Sequence, residues 1–174
     1  MSLRADTIHI ESLRLSIRPF TAGDAQDAFG CITHSLTRFM SWEPPADRSE
    51  FDQIWREWIS TIAGGTDYVF TIRHRDSSDF IGLAGLHDVQ NGGAVLGIWI
   101  REDCHAQGFG REAVSIVAKW ASTMLGLKSF TYPVAERNYP SRRIAEALGG
   151  VITDRKETSK YQSIIYRIPD QSMR

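Results

Sequence analysis

A turn that contains Gly108 and Gly110 lies between a predicted strand and a predicted amphipathic helix. The first amide groups of a helix lack intrahelical acceptors and carry partial positive charge, so they attract anions. Glycines let the backbone approach an anion closely, because no Cβ stands in the way. His105, Gln107 and Arg111 surround the turn with polar side chains. The sequence therefore predicts an anion site here, with a tight structural turn as the alternative interpretation.

The same turn also matches a dinucleotide-binding pattern. Gly108, Gly110 and Ala113 fit G-x-G-x-x-A, and Glu136 stands further along at the end of a predicted strand. A dinucleotide fold needs a series of strand–helix units, whereas short turns join the strands that precede this turn. The turn also lacks the lysine, followed by serine or threonine, that a P-loop requires. We therefore favour another phosphate-bearing ligand for this turn.

Hydrophobic periodicity divides the rest of the sequence into strands and helices. Strands are predicted at 13–18, 68–74, 80–89, 94–101, 129–135, 151–154 and 163–168. Helices are predicted at 25–32, 49–64, 111–125 and 141–148, and a capping pattern that begins at Ser49 places the cap of the second helix there. The order is β-α-α-β-β-β-α-β-α-β-β. It predicts an α+β (mixed α/β) domain, with a central, mixed, mostly antiparallel sheet of about seven strands and helices on both faces.

The composition is that of one ordinary globular domain, expected over residues 8–170. Of the 174 residues, 42% are hydrophobic, and the formal net charge of −1 argues against a broadly basic nucleic-acid binder. No apolar run approaches the ~18 residues of a membrane span, and the first residues lack the apolar segment of a secretory signal. Cys31 and Cys104 stand far apart, without CxxC spacing. We expect a cytoplasmic monomer or homodimer with no metal and no direct nucleic-acid or membrane partner.

Four segments carry a resemblance to a known family, at residues 13–20, 94–100, 105–113 and 138–149. The third stands where the family has (Q/R)-x-x-G-x-(G/A), and the fourth resembles its Asn-x-x-Ser helix, which ends in Leu-Gly. In this order and spacing, the segments resemble the GNAT superfamily of acetyl-CoA-dependent N-acetyltransferases. The RimJ/RimL-type branch, which acetylates ribosomal-protein N-termini and related amines, is the most similar in appearance.

The resemblance implies that acetyl-CoA is the acetyl donor and that one edge of the sheet binds it. The backbone of residues 96–100 would pair with the pantetheine arm as with an added strand, although an ordinary core strand is the alternative. The implied cofactor-binding residues are Ile98, Ile100, His105, Ala106, Gln107, Gly108, Phe109, Gly110, Arg111 and Asn138. His105 replaces the family's usual Gln or Arg, so we expect a shorter, pH-sensitive contact with phosphate there.

The resemblance also implies which residues take part in catalysis. Ser141 is the implied acid for the departing thiolate, although Asn138 and Ser141 could instead cap the helix that follows. Many family members have a general-base glutamate where this chain has Val95, so the base must come from elsewhere, act through water or be unnecessary. The candidate bases are His87, Glu43 and Asp47.

The unpatterned segment 38–47 is the implied wall of the amine pocket. Phe39 and Trp42 would form its sides, while Glu43 and Asp47 would attract a cationic amine; a surface loop whose aromatic rings plug the core is the alternative. The implied acceptor is a protein N-terminal amine, or a small polyamine or aminoglycoside-like amine, acetylated directly in a ternary complex. A non-catalytic acyl-CoA-binding or sensing module, and a nicotinamide-dinucleotide-binding oxidoreductase, remain alternatives.

Overall fold

The computed structural model describes residues 3–174, and strand pairing organises them around one eight-stranded sheet. The strands are β1 (Ile10–Glu11), β2 (Leu15–Pro19), β3 (Tyr68–His74), β4 (Phe80–Gln90), β5 (Gly93–Ile100), β6 (Ser129–Ala135), β7 (Val151–Glu157) and β8 (Gln162–Pro169). Their order across the sheet is β1-β2-β3-β4-β5-β6-β8-β7. The helices are α1 (Ala25–Cys31), α2 (His34–Thr37), α3 (Arg48–Gly64), α4 (Phe109–Met124) and α5 (Tyr139–Ala147).

Every pair of neighbouring strands is antiparallel except β5 and β6. The predicted mixed, mostly antiparallel sheet is therefore confirmed. It contains eight strands and not the expected seven, because the two-residue β1 pairs with β2. The single-turn α2 is likewise additional to the predicted helices. Both elements are too short for a hydrophobic period to reveal them.

Helices cover both faces of the sheet, as the sequence predicts. Neighbouring residues of a strand point to opposite faces. The rings of Tyr68 and Phe70 meet Trp120 of α4 edge-on, at centroid distances of 5.9 and 5.5 Å. Val69, between them, lines a cavity together with Trp58 of α3. Helices α4 and α3 therefore lie on opposite faces of β3.

Helix α3 begins one residue earlier than its predicted cap. The carboxylate of Asp47 accepts a hydrogen bond from the amide of Glu50 at 2.8 Å, and Glu50 in turn accepts one from the amide of Ala46 at 2.6 Å. The bond from Glu50 to Asp47 makes Asp47 the N-cap, so the expected cap at Ser49 is wrong. Asp47 satisfies a backbone donor that would otherwise have no partner.

Strands β5 and β6 diverge after a short stretch of pairing. Their parallel pairing runs only from Gly93 and Ser129 to Val95 and Thr131. Beyond it, β5 stays paired with β4 as far as Ile100, and β6 stays paired with β8. One edge of each strand is consequently unpaired, and a cleft opens in the middle of the sheet. Among residues 3–174, no helix is long and apolar enough to span a membrane.

Candidate active site

The open edge of β5 presents alternate backbone groups to the cleft. The amide of Arg101 donates to the carbonyl of Ile81 on the β4 side at 2.9 Å. Because backbone groups alternate along a strand, the groups of Leu96, Ile98 and Ile100 face the opening instead. Ile98 and Ile100 thus lie where the sequence analysis expects them. A linear chain with amide groups could bind this edge as an added strand does.

The turn after β5 holds a row of unpaired backbone donors. Within the described residues, none of the amides from Ala106 to Arg111 donates a hydrogen bond to another protein group. Gly108 adopts the left-handed conformation, with φ at 80°, and Ala106 does so too, with φ at 60°. Successive amides in such a conformation converge on a common point, and the N-terminus of α4 adds its dipole. The turn is therefore suited to bind phosphate.

Gly108 and Gly110 serve the turn in different ways. Gly108 provides the left-handed conformation. A Cβ on Gly110 would lie 3.3 Å from Cδ1 of Ile144 and 3.6 Å from Cγ1 of Ile100, so this glycine allows close packing against α5 and β5. The structural interpretation of the glycines is thus correct for their packing, while the amide row remains available to an anion.

The side chain of His105 connects the turn to the end of β5. Its Nε2 lies 2.6 Å from the carbonyl oxygen of Ile100, an acceptor, so Nε2 carries the hydrogen and donates it. This contact commits one ring nitrogen to β5. The expected side-chain contact with phosphate is therefore open only to Nδ1, and the backbone amides of the turn provide the other donors.

Arg14 holds the turn from the opposite side, and the sequence analysis missed it. Its Nη1 donates to the carbonyl of Gln107 at 2.9 Å, and its guanidinium lies 4.3 Å from the ring centroid of Phe109. Its Nε and Nη2 both reach Oε2 of Glu112 at 2.7 Å. Ninety-three residues of sequence separate Arg14 from Gln107, so no local pattern could indicate the contact.

We expect low pH to weaken the contacts between Arg14 and Glu112 that stabilise this turn. Burial alone would raise the pKa of Glu112, but hydrogen bonds from Ser12 and Arg14 hold it below the ordinary 4.5. The ionised cluster therefore stabilises the fold above pH 4.5, and this contribution disappears as the pH falls through the lowered pKa. We expect the melting-temperature difference between the wild type and Glu112→Gln to be largest near neutral pH and to shrink below pH 4.5. A constant difference down to pH 3 would contradict this expectation.

A smaller cavity of about 310 Å³ lies against the outer side of α4. Arg111 and Lys119 of α4 line it together with Arg174, while Ala147 and Leu148 contribute from the end of α5. The amide of Arg111 is also the last of the unpaired row. The three cationic side chains of this cavity therefore lie next to that row. Negative charge is therefore favoured on this side of the turn.

The cleft leads into a larger cavity of about 480 Å³ on the face of the sheet that α3 covers. The predicted site residues that line it are Phe39, Trp42, Glu43, His87, Ile98, Asn138 and Ser141. Asp47 is not among its lining residues, because its carboxylate caps α3. The structure thus brings the implied acid, two of the candidate bases and the aromatic walls of the implied amine pocket together, and leaves Asp47 outside.

Ser141 makes a contact that excludes simple helix capping. It lies inside α5, and its Oγ is 2.6 Å from the hydroxyl oxygen of Tyr132, a cavity-lining residue on β6. Burial raises the pKa of Tyr132 to about 12, although the hydrogen bond with Ser141 opposes this rise. Asn138 precedes the helix but makes no side-chain capping bond. Its side-chain amide is therefore available to the cavity.

His87 lies directly across from Val95, the position where the resembling family often has its glutamate. Its ring covers Gly85, since a methyl group there would collide with the imidazole. Its Nδ1 lies 3.4 Å from Oδ1 of Asp67, which also accepts a hydrogen bond from the amide of Asp88 at 3.1 Å. A histidine beside a fixed carboxylate is a common general-base arrangement.

Glu43 is paired with a lysine from another part of the chain. Nζ of Lys160 lies 2.7 Å from its Oε1, and the same ammonium donates to the carbonyls of Thr37 at 2.9 Å and Trp42 at 3.3 Å. Lys160 thereby connects the turn between β7 and β8 with the segment between α2 and α3. Because Glu43 is mostly exposed and has a cationic partner, it is a weaker candidate for the base than His87.

An open strand edge and a turn with unpaired amides lie in one cleft of a mixed sheet, an arrangement suited to a phosphorylated cofactor with an amide-containing arm. The family model of the acetyltransferase (GNAT) domain matches residues 14–151. The chain therefore belongs to the GNAT acetyltransferase family. It is an N-acetyltransferase, and its acetyl donor is acetyl-CoA. No curated protein sequence matches the chain significantly.

Solved structures share this fold over nearly their whole length. The ribosomal-protein-S5-alanine acetyltransferase from Vibrio fischeri superposes with a TM-score of 0.83 at 15% identity, over 96% of this chain and 99% of that one. RimJ from Mycobacterium smegmatis, in complex with CoA-disulfide, gives 0.84 at 16%, over 95% and 89%. Spermidine N-acetyltransferase from Vibrio cholerae, in complex with CoA and spermine, gives 0.81 at 18%, over 92% and 98%. At these identities, the likeness concerns the fold alone.

The structure bears on the dinucleotide-binding alternative for the glycine turn. A dinucleotide fold does not fit, because the glycine turn follows an antiparallel meander and Glu136 is paired with Arg155 at 2.9 Å. Among residues 3–174, no group of three or more His, Cys, Asp or Glu side chains could hold a metal ion.

Proposed function

We propose that this enzyme transfers the acetyl group directly to a primary amine, with a protein N-terminal amine as the first candidate acceptor. The observation that carries the proposal is the row of unpaired amides from Ala106 to Arg111 beside the open edge of β5. This cleft continues into the cavity that His87 and Ser141 line. The RimJ protein and the S5-alanine acetyltransferase with the same fold support a protein acceptor, and the spermidine enzyme supports a small amine.

Direct transfer makes two demands on the side chains of the cavity. The amine must be neutral when it attacks, although an N-terminal amine has a pKa near 8 and an alkyl amine one near 10. The departing thiolate must receive a proton, and a thiol with a pKa of about 8.5 leaves readily. One residue is therefore needed to accept a proton, and another to donate one. Acetyl-CoA supplies the activated thioester.

His87 is the proposed general base, and Asp67 positions it. The imidazole lines the cavity, and a neutral imidazole nitrogen is a common proton acceptor in enzymes. With Nδ1 facing Asp67, the other ring nitrogen is left to accept a proton from the amine. His87 would thus replace the missing glutamate from the neighbouring strand, at the register position opposite Val95.

Ser141 is the proposed acid, and Tyr132 positions its hydroxyl group. Within the described residues, the buried phenol of Tyr132 has Ser141 as its one hydrogen-bond partner, so donation to Ser141 leaves no buried proton without an acceptor. The proton of Ser141 is then free to turn towards the cavity. Asn138, at the start of the same helix, would bond to the arm of the cofactor.

Removing the serine hydroxyl should slow the reaction without weakening cofactor binding. We expect Ser141→Ala to lower kcat only about 10-fold, less than the usual effect of acid catalysis of about 100-fold or more, because the thiolate is a good leaving group. Tyr132→Phe should lower kcat about threefold, the value of one hydrogen bond. If Tyr132 acts through Ser141, the double variant will be no slower than Ser141→Ala alone. Additive losses in steady-state kinetics would contradict the positioning role.

The proposal is tested by a thiol-release assay with acetyl-CoA over N-terminal peptides, polyamines and aminoglycosides, with the products analysed by mass spectrometry. We expect amine-dependent thiol release and acetylation on nitrogen. Acetyl-CoA binding without thiol release on the whole panel would favour a non-catalytic acyl-CoA-binding or sensing module instead.

A further inference from the structure

The acceptor end of the large cavity has apolar and aromatic walls. Phe39 and Trp42 come from the segment between α2 and α3, Trp58 comes from α3, and Tyr161 comes from the turn between β7 and β8. Burial raises the pKa of Tyr161, so its hydroxyl group stays neutral. Large aromatic walls favour an apolar group, which loses water on entering.

The floor of this end leaves room for such a group. Gly85 and Gly97 face each other across β4 and β5, and both line the cavity. The ring of His87 covers Gly85, whereas a Cβ on Gly97 would meet no other atom within 4 Å. A side chain next to the amine can therefore enter beside the proposed base.

The charged side chains near the acceptor end of the cavity do not favour an acceptor that carries a second positive charge. Among the residues that line the cavity, Glu43 is the one acidic side chain within the described part of the chain, and Lys160 neutralises it at 2.7 Å. The guanidinium of Arg38 lies 4.9 Å from the ring centroid of Phe39 and adds a positive charge. Asp67 does not line the cavity and is already paired with His87. A polyamine would have to displace Lys160 to find a carboxylate.

We propose that the acceptor is a primary amine whose neighbouring group is apolar and uncharged, as in a protein N-terminus with an apolar first residue, and not a polyamine. This inference rests on the proposed function, since it assigns the part of the substrate next to the reacting nitrogen. Phe39, Trp42 and Trp58 on the cavity walls would contact the apolar group. Lys160 would disfavour a second positive charge, because it already neutralises Glu43.

The first test compares acceptors that differ in one group. Peptides identical except for a first residue of phenylalanine, leucine, glycine or lysine are assayed for thiol release, together with phenethylamine and spermidine. The expected kcat/KM for phenylalanine and leucine peptides is at least about 10-fold above that for the glycine peptide, as burial of apolar groups in a pocket provides. Spermidine and the lysine peptide should fall below the glycine peptide. The phenylalanine peptide and phenethylamine distinguish a protein acceptor from a small one.

Two variants connect this preference with the cavity. Trp42→Ala should remove most of the advantage of the phenylalanine peptide, whereas Ile59→Ala, on the exposed part of α3, should retain it. Lys160→Gln removes the cation that neutralises Glu43, so spermidine turnover should rise about 10-fold. Lys156→Gln, on exposed β7, is the matched control.

Three results would contradict the inference in whole or in part, and they differ in which claims they leave intact. Spermidine turnover equal to or above that of the phenylalanine peptide would refute the apolar acceptor while leaving amine acetylation intact. Absence of thiol release with every amine, while acetyl-CoA still binds, would refute the proposed function and this inference with it. Lack of response to Lys160→Gln, with spermidine already inactive, would contradict the assigned role of Lys160.

Discussion

Gly108→Val is expected to weaken acetyl-CoA binding about 10- to 100-fold. A β-branched residue is strained at the positive φ of 80° that position 108 adopts, by roughly 1–3 kcal/mol. Relief of that strain rotates the adjoining amides out of the row that would bind phosphate. Each 1.4 kcal/mol needed to restore the row weakens binding about 10-fold. Calorimetric titration with acetyl-CoA measures the change directly.

Gly126→Val provides the matched control for this prediction. Gly126 also has a positive φ, at 69°, but it lies at the opposite end of α4, and a Cβ there meets nothing within 4 Å. The two variants should therefore lose similar amounts of thermal stability, while acetyl-CoA binding weakens in Gly108→Val alone. Equal affinities in both variants would show that the turn does not hold the cofactor.

His87→Gln is expected to lower kcat about 100-fold or more at neutral pH, which is the usual size of general-base catalysis. Glutamine can keep a hydrogen bond to Asp67 but cannot accept a proton from the amine. Acetyl-CoA affinity should stay unchanged, because His87 lies away from the turn around Gly108 that we propose binds the cofactor phosphates. Asp67→Asn should have a smaller effect, about 10-fold, because Asp67 acts through the imidazole.

The pH dependence separates a catalytic histidine from a structural one. As the pH rises towards the pKa of the acceptor amine, more of that amine is already neutral, so the base is needed less. The deficit of His87→Gln should therefore shrink with rising pH. His9→Gln, directly before β1 and with the Nε2 of His9 2.9 Å from Oγ of Ser16, should show the wild-type profile. A deficit for His87→Gln that is constant with pH would indicate a structural role.

Much of the fold can be predicted from local sequence patterns. The bounds of β3 and β6 are predicted to the residue, since each is an apolar strand between turn-forming segments. The start of α3 is misplaced, because Ser49 and Asp47 both suit an N-cap and the choice depends on the contact between Asp47 and Glu50. No local pattern reveals β1, whose two residues form a strand only through β2.

Local sequence patterns cannot predict the contacts that support the site. Arg14, Asp67, Tyr132 and Lys160 each bind a partner that lies far away along the chain or on another element. Tyr132, moreover, alternates with its neighbours as any core residue of a strand does. The turn around Gly108 is predictable because its donors belong to consecutive residues. Asp47 is assigned to the pocket by position, and its place as a helix cap follows from three-dimensional geometry.

The most direct measurement is a crystal structure of this protein with coenzyme A. The diphosphate is expected within hydrogen-bonding distance of the amides from Gln107 to Arg111, and the pantetheine arm along Leu96, Ile98 and Ile100, with its sulfur near Ser141. Density for coenzyme A on another surface, with the cleft between β5 and β6 empty at saturating ligand, would contradict the account.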